Sequence, residues 1–204
     1  MNWYIGLSYF SLACCCLSCL YHFIRLISLG YPVDYSQKTG NIGAATRYAF
    51  TGAMSPLKKE SAYLHLPTYA AGLLYHIGTF ISISLFFLFL FKIEIQAWPQ
   101  WILIGILLLT GFSGLGILIK RLIKKELRFL SNPDDYISNI LVTVFHFMTA
   151  LILYNKSSFP VYFIAASVLM LYLPLGKLKH TVYFFAARYH LGFFYGWRGV
   201  WPPK

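Results

Sequence analysis

Charge is the scarcest commodity in this chain. Only 11% of the 204 residues are Asp, Glu, Lys or Arg, against about 25% in a soluble domain. With 58% of the residues apolar and a mean hydropathy of +0.63, there is too little polar surface to cover a globule in water. A soluble enzyme, a disordered chain and a nucleic-acid-binding module are therefore excluded, in spite of a net charge of +11. Short alternating segments are missing as well, which argues against an outer-membrane barrel. No dinucleotide fingerprint and no nucleophile constellation is present. The four cysteines (Cys14, Cys15, Cys16, Cys19) share one apolar stretch where a disulfide framework has no use, and the Cys16-Leu-Ser-Cys19 pair lacks the following His of covalent haem attachment. They read as small packing residues, with cluster or zinc ligation the minor alternative. No Lys or Arg precedes Arg25, so the first apolar block lacks the basic flank of a cleaved signal peptide and is expected to stay as a helix.

What remains is apolar runs long enough for helices across a hydrocarbon core of about 30 Å, which takes about 20 residues. Five spans are predicted: Trp3–Leu29, Thr68–Phe91, Trp98–Ile119, Ile137–Tyr154 and Phe159–Gly176, the last continuing as an aromatic helix through His180 towards His190. The expectation is an all-α integral membrane protein, one domain over residues 1–204. Gly30–Pro67, Lys120–Tyr136 and the tail after Lys177 are read as charged connections. Five spans put fifteen basic residues on one side (Arg25, Lys38, Arg47, Lys58, Lys59, Lys120, Arg121, Lys124, Lys125, Arg128, Lys177, Lys179, Arg188, Arg198, Lys204) and only Lys92 and Lys156 on the other. By the positive-inside rule the N-terminus lies outside and the C-terminus inside, in the cell's inner (cytoplasmic) membrane. The basic face suits anionic lipid or an acidic partner. The tail Gly196–Lys204, with Trp197, Trp201 and the Pro202–Pro203 pair, cannot be helical throughout and suggests a docking element.

Five of the six acids fall in the loops of the basic side, and Glu94 in a loop of the other. A transporter or proton pump normally carries Asp or Glu inside its bundle, and no inverted repeat is visible. The spans instead contain His22, His76, His146 and His180, with His65 and His190 at the flanks. At 1.5 Å per residue His22, His76 and His146 lie about 10–14 Å deep. Several intramembrane imidazoles suit haem, whose iron takes one from each of two helices. A packing role is the alternative for each, and the preferred one for His146, as a hydrogen bond to a neighbouring backbone or hydroxyl. Gly72 and Gly78 flank His76 and would admit a flat macrocycle or a neighbouring helix. Gly111, Gly114 and Gly116 read as helix packing.

Three segments carry a resemblance. Leu73-Leu-Tyr-His76-Ile-Gly-Thr79 resembles the "LFHIG" stretch in the second helix of the gamma subunits of respiratory nitrate reductases, and Pro174-Leu-Gly-Lys-Leu-Lys-His180 the "PFSRLVH" stretch closing their fifth. Leu130-Ser-Asn-Pro-Asp-Asp-Tyr136 is similar to a turn in membrane subunits of heterodisulfide-reductase-type and sulfite-reduction complexes. The resemblance implies a membrane cytochrome b subunit with His76 and His180 as axial ligands of a b-haem on the cytoplasmic side. It also implies exchange of electrons between quinone or menaquinone and an iron–sulfur subunit docked on that face, alongside other membrane subunits. Such a chain is an electron-transfer subunit, not a complete enzyme. Where the family has a second histidine pair, this chain has Phe86 and Tyr162, so it holds one haem, or a second through His22, His146, His65 or His190. His22 also has a quinone contact as a candidate role. Lys177, Lys179 and Arg188 are candidates for haem propionates, snorkelling being their other explanation. The rival class is a non-redox anchor or assembly subunit whose histidines pack.

The charge asymmetry makes a direct prediction: a reporter fused after Lys204 is expected on the cytoplasmic side. An external reading would overturn the orientation and the haem depth together.

Overall fold

The computed structural model describes residues 2–29, 35–55 and 64–203, and within them every regular element is helical. In chain order these are α1 (Trp3–Leu29), α2 (Ile42–Phe50), α3 (Leu66–Leu90), α4 (Ala97–Ile123), α5 (Lys125–Phe129), α6 (Pro133–Tyr154), α7 (Phe159–Tyr172) and α8 (His180–Trp197), with 3₁₀ turns at Gly52–Met54, Lys156–Ser158 and Lys177–Lys179. Four of them (α1, α3, α4 and α6) are long and apolar enough to cross a membrane, and α7 with α8 makes a fifth if the broken pair counts as one span. The four agree with the predicted spans to within a few residues. Lys58, Lys59 and Lys204, counted above on the basic side, lie outside the described residues.

Two expectations are corrected. Gly30–Pro67 is not simply a connection, because it contains α2, capped by Asn41 Oδ1 on the Ala44 N–H at 3.0 Å. The last span is not one continuous helix either. At 14 residues α7 is about 21 Å long and stops short of a hydrocarbon core by itself. Pro174 supplies the reason: it has no N–H for the Met170 carbonyl, which a continued helix would require. The chain turns instead through bonds from Leu175 and Gly176 N–H to the Tyr172 carbonyl at 3.0 and 3.1 Å. A Cβ on Gly176 would come within 2.6 Å of Asp134 Oδ1, so only glycine fits there.

The chain forms two compact units, Met1–Cys15 with Pro67–Leu178, and Cys16–Leu66 with Lys179–Lys204. In the first, α6 packs against α4 on one side and α7 on the other. The contacts depend on small residues: a Cβ on Gly78 of α3 would lie 2.1 Å from Thr110 Oγ1 of α4, and one on Gly114 would lie 2.2 Å from the Tyr75 ring. Gly111 meets Phe147 in the same way, whereas Gly116 has open space and lines a groove with Pro67, Thr68 and Lys120. Ser8 of α1 reaches the Phe163 carbonyl at 3.2 Å and Ser167 Oγ at 3.0 Å, the close, hydrogen-bonded helix contact that apolar surroundings favour.

The turn before α6 is the polar anchor of this unit. Asn132 and Asp135 form a reciprocal capping box and Pro133 sits in the first turn, where its missing N–H costs nothing. Asp135, almost fully buried, also accepts from Lys177 and lies 3.6 Å from Arg121. Asp134 accepts from Tyr172 and, at 3.2 Å, from Ser138.

In the second unit α8 lies on α2. Its Gly192-Phe-Phe-Tyr-Gly196 stripe lets the two backbones meet: a Cβ on Gly192 would be 2.5 Å from Thr46 Cα, and one on Gly196 2.7 Å from Ala45 Cβ. Ala45 and Ala49 are wholly buried beneath it. The aromatic tail folds back on its own chain. Trp197 donates from Nε1 to the Ser36 carbonyl at 2.8 Å, and the Trp201 ring lies 5.4 Å from Tyr48 and 4.6 Å from Tyr195. Both tryptophans of the expected docking element are thus engaged within the unit.

Two glycines on one helix separate packing from propensity. Gly78→Ala is expected to cost about 1–3 kcal/mol through overpacking against Thr110, while Gly72→Ala, whose Cβ meets nothing within 4 Å, leaves stability unchanged or slightly raised. Thermal unfolding of the purified protein in detergent distinguishes the two; equal melting points would refute this packing of α3 on α4.

Candidate functional site

The described histidines divide by what their ring nitrogens meet. His146, on the buried face of α6, has no exposed surface. Its Nε2 is 3.1 Å from Thr79 Oγ1 of α3, and its ring centroid is 5.0 Å from that of Tyr75. Tyr75 Oη lies 2.9 Å from both the Asn139 carbonyl and Thr143 Oγ1. Tyr75 and Thr79 are one helical turn apart on α3, and Asn139, Thr143 and His146 follow at intervals of four and three on α6, so the two stripes close on one another. Thr79 Oγ1 donates to the Tyr75 carbonyl at 2.9 Å and so receives from His146 Nε2, which places the proton on that nitrogen. Nδ1 is then buried without a well-formed hydrogen bond among the described residues, and the Thr110 backbone lies close to the ring. This is an interhelical polar contact in an apolar setting, and the preferred packing reading of His146 describes it.

His76 is the opposite case. It follows Tyr75 by about 100° of helix rotation, and its side chain is exposed. Nδ1 lies 2.7 Å from the Gly72 carbonyl one turn earlier. A carbonyl only accepts, so Nδ1 carries the proton and Nε2 keeps a lone pair on an exposed side chain. Metal-ligating histidines commonly have this arrangement: one nitrogen is fixed by a backbone acceptor, which sets tautomer and ring orientation, and the other is available to a metal. Gly72 leaves the surface beside the ring open, whereas Gly78 is filled by Thr110.

The remaining candidates lie elsewhere. His180 opens α8 in the second unit and is exposed. His190, also on α8, lies 3.2 Å from the Leu26 carbonyl and satisfies one of the four carbonyls left unbonded at the end of α1. His22 is half-buried on α1 beside the Tyr21 ring, and His65 is exposed just before α3. The ammonium of Lys177 already has Asp135 as partner. Lys179 lies over the Tyr183 ring at 5.9 Å and Arg188 over the Phe184 ring at 5.6 Å.

Phe86 and Tyr162, where the resemblance places a second histidine pair, are both fully buried in aromatic packing. Phe86 lies 6.2 Å from Phe163, and Tyr162 lies 5.3 Å from Phe163, 5.7 Å from Phe89 and 5.9 Å from Phe145, the last stacked. The Tyr162 hydroxyl is sealed within this packing, beside Thr149. Among the described residues no group of three or more His, Cys, Asp or Glu side chains is placed to hold a metal ion, a criterion that two axial imidazoles do not need to meet.

The partners of His146 on α3, Thr79 and Tyr75, went unrecognised in the sequence, although a polar stripe was there on α6: Asp135, Asn139, Thr143, His146 and Thr149 recur every three or four positions. No family model, no curated protein and no solved structure matches the chain.

Thr79→Val removes the only hydroxyl on His146 and leaves a second buried ring nitrogen without a partner. It is expected to cost about 1–3 kcal/mol. The Thr79→Val/His146→Leu double variant should recover part of that loss, because both polar partners are then gone. Additive losses in thermal unfolding would show that the two side chains do not interact.

Proposed function

We propose that this chain is a b-haem-binding membrane subunit of a respiratory oxidoreductase complex. His76 and His180 would hold the iron through neutral imidazoles, with the C-terminus and the iron–sulfur partner on the cytoplasmic side. The observation that carries the reading is the pose of His76: an exposed side chain on an apolar helix, with Nδ1 tied to the Gly72 carbonyl and open space at Gly72. An exposed imidazole nitrogen left unbonded at membrane depth is costly, and an axial metal on Nε2 would remove that cost. The haem would supply reversible one-electron transfer. The protein's own residues would set the ligand orientation through the Gly72 carbonyl and exclude water with apolar helix faces.

One haem is favoured over two. The alternative positions are filled by the stacked rings of Phe86, Tyr162 and their neighbours, which leave no imidazole there. His146 and His190 are drawn into helix contacts, which speaks against a role for them as ligands. The same two contacts are what favour the second reading, a non-redox anchor or assembly subunit, since they show histidines serving as packing groups in this chain.

A visible spectrum of the purified protein separates the two. The reduced protein is expected to show a low-spin b-type band that His76→Ala and His180→Ala each abolish. Phe86→Leu and Tyr162→Phe should leave it intact. No haem in a correctly inserted protein would establish the anchor reading. A bis-histidine signal that survives both alanine variants would reject these ligands.

A further inference from the structure

At the end of the first unit that carries Lys92 and Lys156 there is a cavity of about 310 Å³, at the lower end of the size of small-molecule sites. Its walls are apolar, with Ile5, Phe89, Ile95 and Phe163 among them, and Lys92, Lys156 and Glu94 line it as well. Lys92 and Lys156 are the two basic residues that the charge count leaves apart from the other fifteen, and the fold brings both to this one cavity. Neither has a carboxylate within ion-pair distance among the described residues, since the ion pairs there are those of Asp135 with Arg121 and Lys177.

The backbone at Lys92 is unusual in its own right. With φ of +57°, Lys92 is the one non-glycine residue of left-handed conformation among those described. Its N–H bonds to the Phe89 carbonyl at 3.1 Å and that of Ile93 to the Leu88 carbonyl at 2.8 Å. These are the two bonds of a Schellman ending, whose left-handed position glycine occupies most easily. A lysine held there at a conformational cost, beside an apolar cavity, is the kind of outlier that points to a ligand.

We propose that this cavity binds an anionic phospholipid, with the phosphodiester between the Lys92 and Lys156 ammonium groups and the first part of one acyl chain against Ile95, Phe89 and Phe163. Two lysines and one glutamate leave a net charge of +1 at the cavity, which one phosphodiester neutralises.

The test uses the full chain in detergent and titrates phosphatidylglycerol, phosphatidylcholine and inorganic phosphate, with bound lipid read by native mass spectrometry. Phosphatidylglycerol should bind more tightly than phosphatidylcholine. Lys92→Gly and Lys156→Gln should each weaken it about fivefold, with phosphatidylcholine binding unchanged. Lys92→Gly suits the left-handed turn better than lysine does, so the fold should melt no lower and lost binding is not lost structure. Ile95→Trp, which fills the cavity and keeps both lysines, should also weaken binding. Equal binding of the two lipids, undiminished phosphatidylglycerol binding in the lysine variants, or an Ile95→Trp protein that binds as tightly as the parent would each overturn the proposal. Inorganic phosphate competing as well as the lipid would show a site for the ion alone and overturn it too.

Discussion

Inside an apolar bundle a hydroxyl or imidazole has no water to turn to, and the interior of this protein is organised by that constraint. Ser8, Thr149 and Ser167 each return a hydroxyl to a helix carbonyl within the bundle. Where two polar side chains face each other, they bond across the helices: Tyr75 with Thr143, and Thr79 with His146. Each bond is worth only about a kilocalorie, but leaving either group unpaired costs more. The register of α3 against α6 therefore follows from the polar stripe, and the small residues Gly78 and Gly114 let both helices pack against α4 beside it.

The same economy governs the ends of the helices. Asp135 is asked to cap α6, to accept from Lys177 and to face Arg121, so one carboxylate ties the start of α6 to the end of α4 and to the 3₁₀ turn after Pro174. Removing one partner from such a buried group is far more damaging than the net worth of the pair suggests. The chain has only six acids, and two of them meet in this turn. Tyr9 and His190 do related work elsewhere, at the carbonyls of Leu90 and Leu26 near the ends of α3 and α1.

The long elements were legible because a run of twenty apolar residues has few alternatives in any fold: α1 was read to the residue, and α3, α4 and α6 nearly so. What was missed was short or local. The nine residues of α2 lie in a segment whose charge and glycine content resemble a loop, and its stability comes from burial of Ala45 and Ala49 under the Gly192–Gly196 stripe, a contact between residues more than 140 positions apart. The break after Tyr172 was written in Pro174, but the apolar run around it continues, and hydropathy alone hides the loss of one backbone donor. Of the site, the histidine positions were visible and their roles were not, because the role depends on which way each ring faces.

That dependence gives a physical way to rank imidazoles in an apolar chain. A packing histidine sends its ring into a neighbouring helix, as His146 does towards Thr79, and any nitrogen it leaves without a partner is sealed from every ligand. A ligand histidine fixes one nitrogen by a bond to its own helix and keeps the other accessible. His76 has this form: the Gly72 carbonyl is four residues earlier on the same helix, so the bond makes no demand on a neighbouring element and survives changes around it. Helix geometry permits such a bond, and with glycine at position 72 the surface one turn before the ring carries no side chain.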